Sequence, residues 1–283
     1  MNITKKAMLV RLSISQWSAR RFDFKATHKV IAEYGAKEDA GRFNKLLIDH
    51  DAVKRYQKAA NEAREFHYTN TLPWGDDNAR ILPSTNYLAY TQKMRELRST
   101  FENSVDEFVE AYPTLIEKAK ADLNGLFSFA DYPDQHSLRE KFRFAVRVSP
   151  VPASNDFRVL LADDEVNRIK SDIETTIKES IAGAMKDAWE RLIWVVGNVA
   201  ERLGKVDAVF RNSLIDNMAK LCDILPKLNL TDDPKMTQII KEVKEVLVPL
   251  DPDELRESKV IRKKAADRAQ DILKRMSAYV SES

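Results

Sequence analysis

From Asp163 to Leu203 the apolar residues fall at Val166, Ile169, Ile173, Ile177, Ile181, Ala184, Ala188, Leu192, Val195, Val199 and Leu203. The steps are threes and fours averaging about 3.7, the period of one face of an α-helix, so the segment predicts a single long amphipathic helix. Asp163, Asp164 and Glu165 stand where a helix amino terminus favours negative charge. A period nearer an eleven-residue repeat than a heptad predicts straight or slightly right-handed pairing with another helix. Gly183 and Gly197 mark either close helix contacts or bends. About 41 residues rising roughly 1.5 Å each span on the order of 60 Å. A compact globule of this chain length is near 50 Å across, so either a glycine bends the helix or the molecule is elongated.

The preceding residues alternate in pattern. Met8, Val10, Leu12 and Ile14 fall on one side and Leu9, Arg11, Ser13 and Ser15 on the other, as in a half-buried strand. Ala26 to Tyr34 predicts a short helix stopped by Gly35. From Lys37 to about Tyr68 the apolar positions Phe43, Leu46, Leu47, Val53, Ala60 and Ala63 predict a first long helix. Thr71 to Pro83, with two prolines and a Gly-Asp-Asp string, predicts a connection. A helix capped by Ser84 or Thr85 then runs to about Tyr112, and Pro113 opens a short one ended by Gly125. The two long helices on either side of this connection are expected to pack antiparallel.

Lys141 to Ser149 is the clearest strand, with Phe142, Phe144, Val146 and Val148 opposite Lys141, Arg143, Ala145 and Arg147. Phe157 to Leu161 predicts a third strand. After the long helix come a helix over Phe210 to Leu225 broken at Pro226, another from Pro234 to about Val248, and a last one from Asp253 to about Val280. The expected fold is mainly α (α+β), an elongated antiparallel long-helix bundle with a small two- or three-stranded sheet. It divides into an N-terminal helical region, 1–162, carrying the sheet, and a C-terminal region, 163–283, built on the long helix.

Composition agrees with helices: 43% of the 283 residues are apolar, 32% charged and only 7 are glycine. The single cysteine, Cys222, sits on an apolar stripe with Leu221 and Leu225, as a small core residue in a reducing compartment would. No secretory signal is readable in MNITKKAMLVRLSISQWSARR. The most apolar stretch, Ile181 to Val199, carries Lys186, Asp187, Glu190 and Arg191, which argues against a membrane span. A cytoplasmic protein is expected. The net charge of +2 suits no polyanion-binding role for the whole molecule. Met1 to Val30, however, holds seven Lys or Arg against one acid, and Arg256 to Arg275 holds eight against three.

Several kinds of chemistry find no support. Nothing resembles GxxxxGK[ST] or GxGxxG, and His28, His50, His67 and His136 are far apart without partners in a metal-ligand spacing. The carboxylate pairs Asp76-Asp77, Asp163-Asp164 and Asp232-Asp233 each lie at a turn or helix start, where capping explains them better than magnesium or acid-base work. Trp17 and Trp74 read as loop anchors. No cofactor, metal, catalytic residue or small-molecule substrate is indicated.

Two surfaces remain. Leu192, Ile193, Trp194, Val195 and Val196 are five consecutive apolar residues in a helix, covering its whole circumference, so the segment either crosses the middle of the domain or meets a protein partner or a second copy. The alternative is nucleic-acid binding through Arg11, Lys141, Arg143 and Arg147 with Lys259, Arg262 and Lys263 of the last helix, an arrangement whose affinity would fall steeply with salt.

Five strings, LSISQW (Leu12 to Trp17), AGRFNKLLI (Ala40 to Ile48), LPWGDD (Leu72 to Asp77), RILP (Arg80 to Pro83) and AMKDAWERL (Ala184 to Leu192), resemble a domain family of unknown function found in phages and prophages. Members are sometimes encoded near MoxR-type AAA+ ATPases and von Willebrand A-type proteins. The resemblance covers most of the chain and implies a phage-derived protein in the bacterial host cytoplasm. It carries no catalytic residues across.

Overall fold

The computed structural model describes residues 3–75, 77–154, 163–205 and 210–281. In chain order the elements are β1 (Ala7–Ser15), β2 (Arg20–Phe22), α1 (Phe24–Glu33), β3 (Asn44–Leu46), α2 (His50–Thr69), β4 (Leu72–Pro73), β5 (Arg80–Pro83), α3 (Tyr87–Leu123), α4 (Gln135–Glu140) and β6 (Arg143–Pro150). Then follow α5 (Asp163–Gly204), α6 (Ser213–Leu228), α7 (Pro234–Val246), α8 (Pro252–Glu257) and α9 (Lys259–Ser281). The protein is mainly helical, with several long helices and two antiparallel sheets. The expected third strand over 157–161 lies outside the described residues.

The sheets are larger than the two or three strands expected. One has the order β4-β5-β1-β6, and β2 and β3 form a separate ribbon. The added hairpin comes from the segment expected as a plain connection. Leu72 pairs opposite Ile81 and both are fully buried, while Ala7 to Val10 of β1 pair with Pro83 to Arg80. Its turn is closed by the Trp74 amide donating to the Ala79 carbonyl (3.0 Å) and by the Asp77 carboxylate accepting from the Ala79 amide (3.1 Å). Gly75 (φ +63°) and Asn78 (φ +60°) supply the left-handed positions that such a turn needs. The turn chemistry was visible; the short apolar pairs on either side owe their strand form to burial.

The segment from Lys37 to Asp49 is not the start of a helix. Arg20, Arg21 and Phe22 pair with Leu46, Lys45 and Asn44, and α2 begins only at His50. The reason is Lys45. It is 6% exposed, and its ammonium lies 2.6 Å from Asp131, 3.0 Å from Asp23 and 3.0 Å from the Leu126 carbonyl. A buried charge demands such partners, and the extended backbone here carries the side chain to them.

Pro113 does not open a helix either; α3 runs through it for 37 residues. A proline inside a helix leaves the carbonyl four residues earlier without its amide donor. Here that acceptor, the Val109 carbonyl, takes a hydrogen bond from the Gln135 side-chain amide at 2.8 Å. Pro226 likewise falls within the last turn of α6 rather than breaking it. The long helix α5 matches its expected bounds and continues through Gly183 and Gly197.

The backbone groups into two compact units that alternate along the sequence. The first takes Met1–Arg11, Tyr68–Tyr90 and Arg147–Ser283, and the second takes Leu12–His67 and Thr91–Val146. These stretches interleave across the 162/163 division expected from the start of the long helix.

In the first unit α5 packs antiparallel to α9, with Trp189 near Tyr279 and Gly197 beside Leu273. Its core joins Leu9 and Ile81 of the sheet to Ala188, Leu192, Val196 and Val199 of α5, Cys222 of α6, Ile240 of α7 and Ile272 of α9. The predicted stripe of α5 is deeply buried from Ala184 onward and only half-buried from Val166 to Ile181. Cys222 is fully buried.

The second unit has an aromatic core. Tyr56 of α2 meets Phe108 of α3 and Phe142 at about 5 Å, and Trp17 stands edge-on to Tyr112. Asp49 pairs with Lys118 and Arg55 with Glu107, so α2 and α3 run antiparallel. Phe142 and Phe144 face inward and Arg143 outward, as alternation predicts.

Candidate docking cleft beside Trp194

The five-residue apolar run on α5 is divided by its surroundings. Leu192 and Val196 are fully buried and Val195 nearly so, within the chain's own core, and Ile193 packs partly against that core. Trp194 points the other way and is 70% exposed. Of the predicted partner-binding set, Leu192, Val195 and Val196 are thus occupied by the fold, and Trp194 with part of Ile193 is accessible.

Trp194, Asn198 and Arg202 stand at i, i+4 and i+8, which puts them in one row on the helix surface. Across from them is the start of α6. The turn before it is held by Arg256 of α8, whose guanidinium lies 5.5 Å from the Phe210 ring centroid, donates to the Phe210 carbonyl at 3.5 Å and also bonds the Asn212 and Asp253 side chains. Asn212 therefore spends its side chain on Arg256 instead of capping α6. The result is a cleft of about 400 Å³ lined by Trp194, Asn198, Arg202, Arg211, Leu214 and Asn217, with Phe210 and Ser213 at its end.

Among the described residues the polar side chains of this lining are arginines, asparagines and a serine, with no carboxylate, imidazole or thiol. Neither Arg202 nor Arg211 makes an ion pair among the described residues, whereas nearby Glu190 and Glu201 are matched by Lys186 and Lys205. The cleft therefore offers two cations with no ion pair among the described residues, beside an apolar ring. Its described lining holds none of the anionic oxygens a divalent cation requires, and it suits an acidic group carried beside an apolar side chain. Asn198, Arg202 and Arg211 escaped the sequence argument. The spacing from Trp194 to Arg202 is readable, but Arg211 joins them only through the packing of α6 on α5.

The residues expected to bind nucleic acid do not form one free set. Arg11 bonds to Asp77. Arg262 is only 8% exposed, because it falls on the same stripe of α9 as the buried Ala265, Ala266 and Ala269. Lys141 at the end of α4, Arg143 and Arg147 on β6, and Lys259 and Lys263 on α9 are exposed. Arg256, of the same basic run, is tied to the turn before α6.

The acidic pairs act as structural groups. Asp76 lies outside the described residues. Asp77 closes the β4-β5 turn, Asp163 and Asp164 begin α5, and Asp232 pairs with Lys6 at 2.6 Å. Asp233 caps α7 and accepts from the Trp189 indole at 3.1 Å. Among the described residues no group of three His, Cys, Asp or Glu could hold a metal ion, and no helix is long and apolar enough to cross a membrane. Comparison with protein-family models, with curated proteins and with solved structures finds no match.

Proposed function

We propose that this chain is a non-enzymatic interaction protein that docks an acidic, apolar-anchored segment of a partner protein against Trp194. The observation that carries the reading is a tryptophan left 70% exposed on an otherwise well-buried stretch of helix, flanked by two arginines with no ion pair among the described residues. Tryptophan and arginine are the residue types most enriched where binding energy concentrates. The resemblance to a phage and prophage family extends the proposal to a host or phage protein in the bacterial cytoplasm as the partner.

The test is affinity purification from infected cells, nuclease-treated, comparing the native chain with Trp194→Ala and with the Arg202→Glu, Arg211→Glu double variant. Loss of a central tryptophan contact costs about 2 kcal/mol or more, close to a thirtyfold weakening. The expected result is a protein partner that survives nuclease and is lost from both variants, whose thermal unfolding is unchanged. Identical recovery by all three chains, or no partner after nuclease together with a monomer by light scattering, would refute it.

A further inference from the structure

A second surface, in the other unit, has different chemistry. In the β2-β3 ribbon only Lys45 is buried: Arg20, Phe22, Asn44 and Leu46 are exposed, and so is Arg21, whose guanidinium lies 3.6 Å from Asp131. Phe24 opens α1 and is 69% exposed, with His28 one turn on and their rings 6.1 Å apart. Phe22, Phe24, His28 and Ile31 line a concavity of about 400 Å³ closed by Glu38 and Arg42. Its floor is fixed: the Thr27 hydroxyl donates to the Asp23 carbonyl at 2.7 Å and accepts from the Phe43 amide at 2.9 Å.

Exposed phenylalanines are costly in water and point to a ligand. Here they line a hollow rather than project, which suits a flat ring entering between them better than a bilayer surface. Arg42 lines the hollow, Lys25 and Lys29 stand on α1 in the row next to Phe24 and His28, and Arg20 lies on β2 two residues before Phe22; none of the four has an ion pair among the described residues. An aromatic hollow with cations on and beside its rim is the combination that stacks bases and tracks a phosphate backbone. Glu38 adds an acceptor at the rim for the amino group of a base.

We propose that this face binds single-stranded nucleic acid, with one base stacked at Phe22 and Phe24 and the backbone running along Lys25, Lys29 and Arg42. It is separate from the Trp194 cleft and stands or falls without it.

Fluorescence anisotropy with labelled single-stranded DNA and RNA oligomers tests this, using the full chain at about 50 and 200 mM salt. Binding at low salt, weakened at least tenfold at the higher salt, is expected. Phe24→Ala and Phe22→Ala should each weaken it by about fivefold or more, Phe24→Tyr should restore it, and Arg42→Glu should weaken it while flattening the salt dependence. Trp194→Ala should leave it unchanged. Both phenylalanines are exposed, so an unaltered circular-dichroism melt is expected for each variant. The proposal is overturned by no binding at low salt, by equal affinity for duplex, or by Phe variants that bind like the native chain. It is equally overturned if anionic phosphatidylserine vesicles capture the protein through Phe22 and Phe24 while oligomers neither bind nor compete.

Discussion

Replacing Lys45 by methionine keeps the length of the side chain and deletes its charge. Asp23 and Asp131, now 3.0 and 2.6 Å from the ammonium, would face each other with nothing between them. Removing one partner from a buried ion pair costs about 3–5 kcal/mol. Both carboxyl side chains retain some exposure, 15% and 13%, so water softens the loss and the low end, about 3 kcal/mol, is expected. At a urea sensitivity of about 2 kcal/mol per molar, the unfolding midpoint should fall by roughly 1.5 M. The pH dependence separates charge from packing. Burial disfavours the Lys45 charge, yet its hydrogen bonds to Asp131 and Asp23 outweigh that and raise its pKa above the ordinary lysine value. Its contribution is therefore complete below that ordinary value and lost as pH rises through the raised one. The Ala26 amide, then Lys45, hold Asp23 below the usual carboxylate range, so its contribution disappears as pH falls through that lowered value. Between these limits the contributions of Lys45 and Asp23 are insensitive to pH. In Lys45→Met, protonating either carboxylate relieves repulsion, so the variant should gain stability from pH 7 to pH 5. Urea unfolding at both pH values, with hydrogen exchange of the ribbon amides, reads the outcome. A midpoint change equivalent to less than about 1 kcal/mol, or a variant that loses stability on acidification, would refute the reasoning.

Three other experiments probe the fold. Trp194→Ala should leave stability within about 0.5 kcal/mol, because the ring is mostly in water, whereas Leu192→Ala two residues earlier should cost about 2–5 kcal/mol in parallel denaturation curves. Gln135→Ala should cost about 1 kcal/mol by removing the donor to Val109. In a Pro113→Ala background the restored helical amide takes that carbonyl, and a double-mutant cycle should show the Gln135 effect shrink by at least half. Burial pushes the Cys222 thiol up to about 11, so an aromatic disulfide reagent at pH 8 should react slowly with the native chain and at once in denaturant.

The elements legible in the sequence are those whose pattern is long and self-contained. Helix α5 could be bounded at both ends because acids open it and its stripe persists for eleven turns' worth of periodic positions. Phe142 and Phe144 declared their buried side by alternation with arginine. Where the reading failed, a distant residue decided the matter. Phe43, Leu46 and Leu47 sit at helical spacing, but Lys45 between them needs Asp23 and Asp131. Pro113 ends a helix unless something such as Gln135 supplies the missing donor. The candidate cleft was half legible: the apolar run drew attention to Trp194, while which of its five residues faced water depended on how α5 packs against α9 and the sheet. The exposed phenylalanines of the ribbon gave no sign at all, since apolar side chains in sequence carry no mark of being left outside.

The interleaving of the two units bears on how the protein is made. A ribosome completes every residue of the second unit at Val146, before any of α5 exists. The first unit cannot close at that point: Leu9 and Ile81 belong to a core whose other members include Ile272 and Met276 of α9. Its earliest strand is therefore held waiting for its latest helix, a closure between distant parts of the chain that is slow and leaves apolar surface bare meanwhile. Translation halted before α9 would release a molecule with one finished unit and one sticky remnant, the kind of product a cell's chaperones and proteases must deal with.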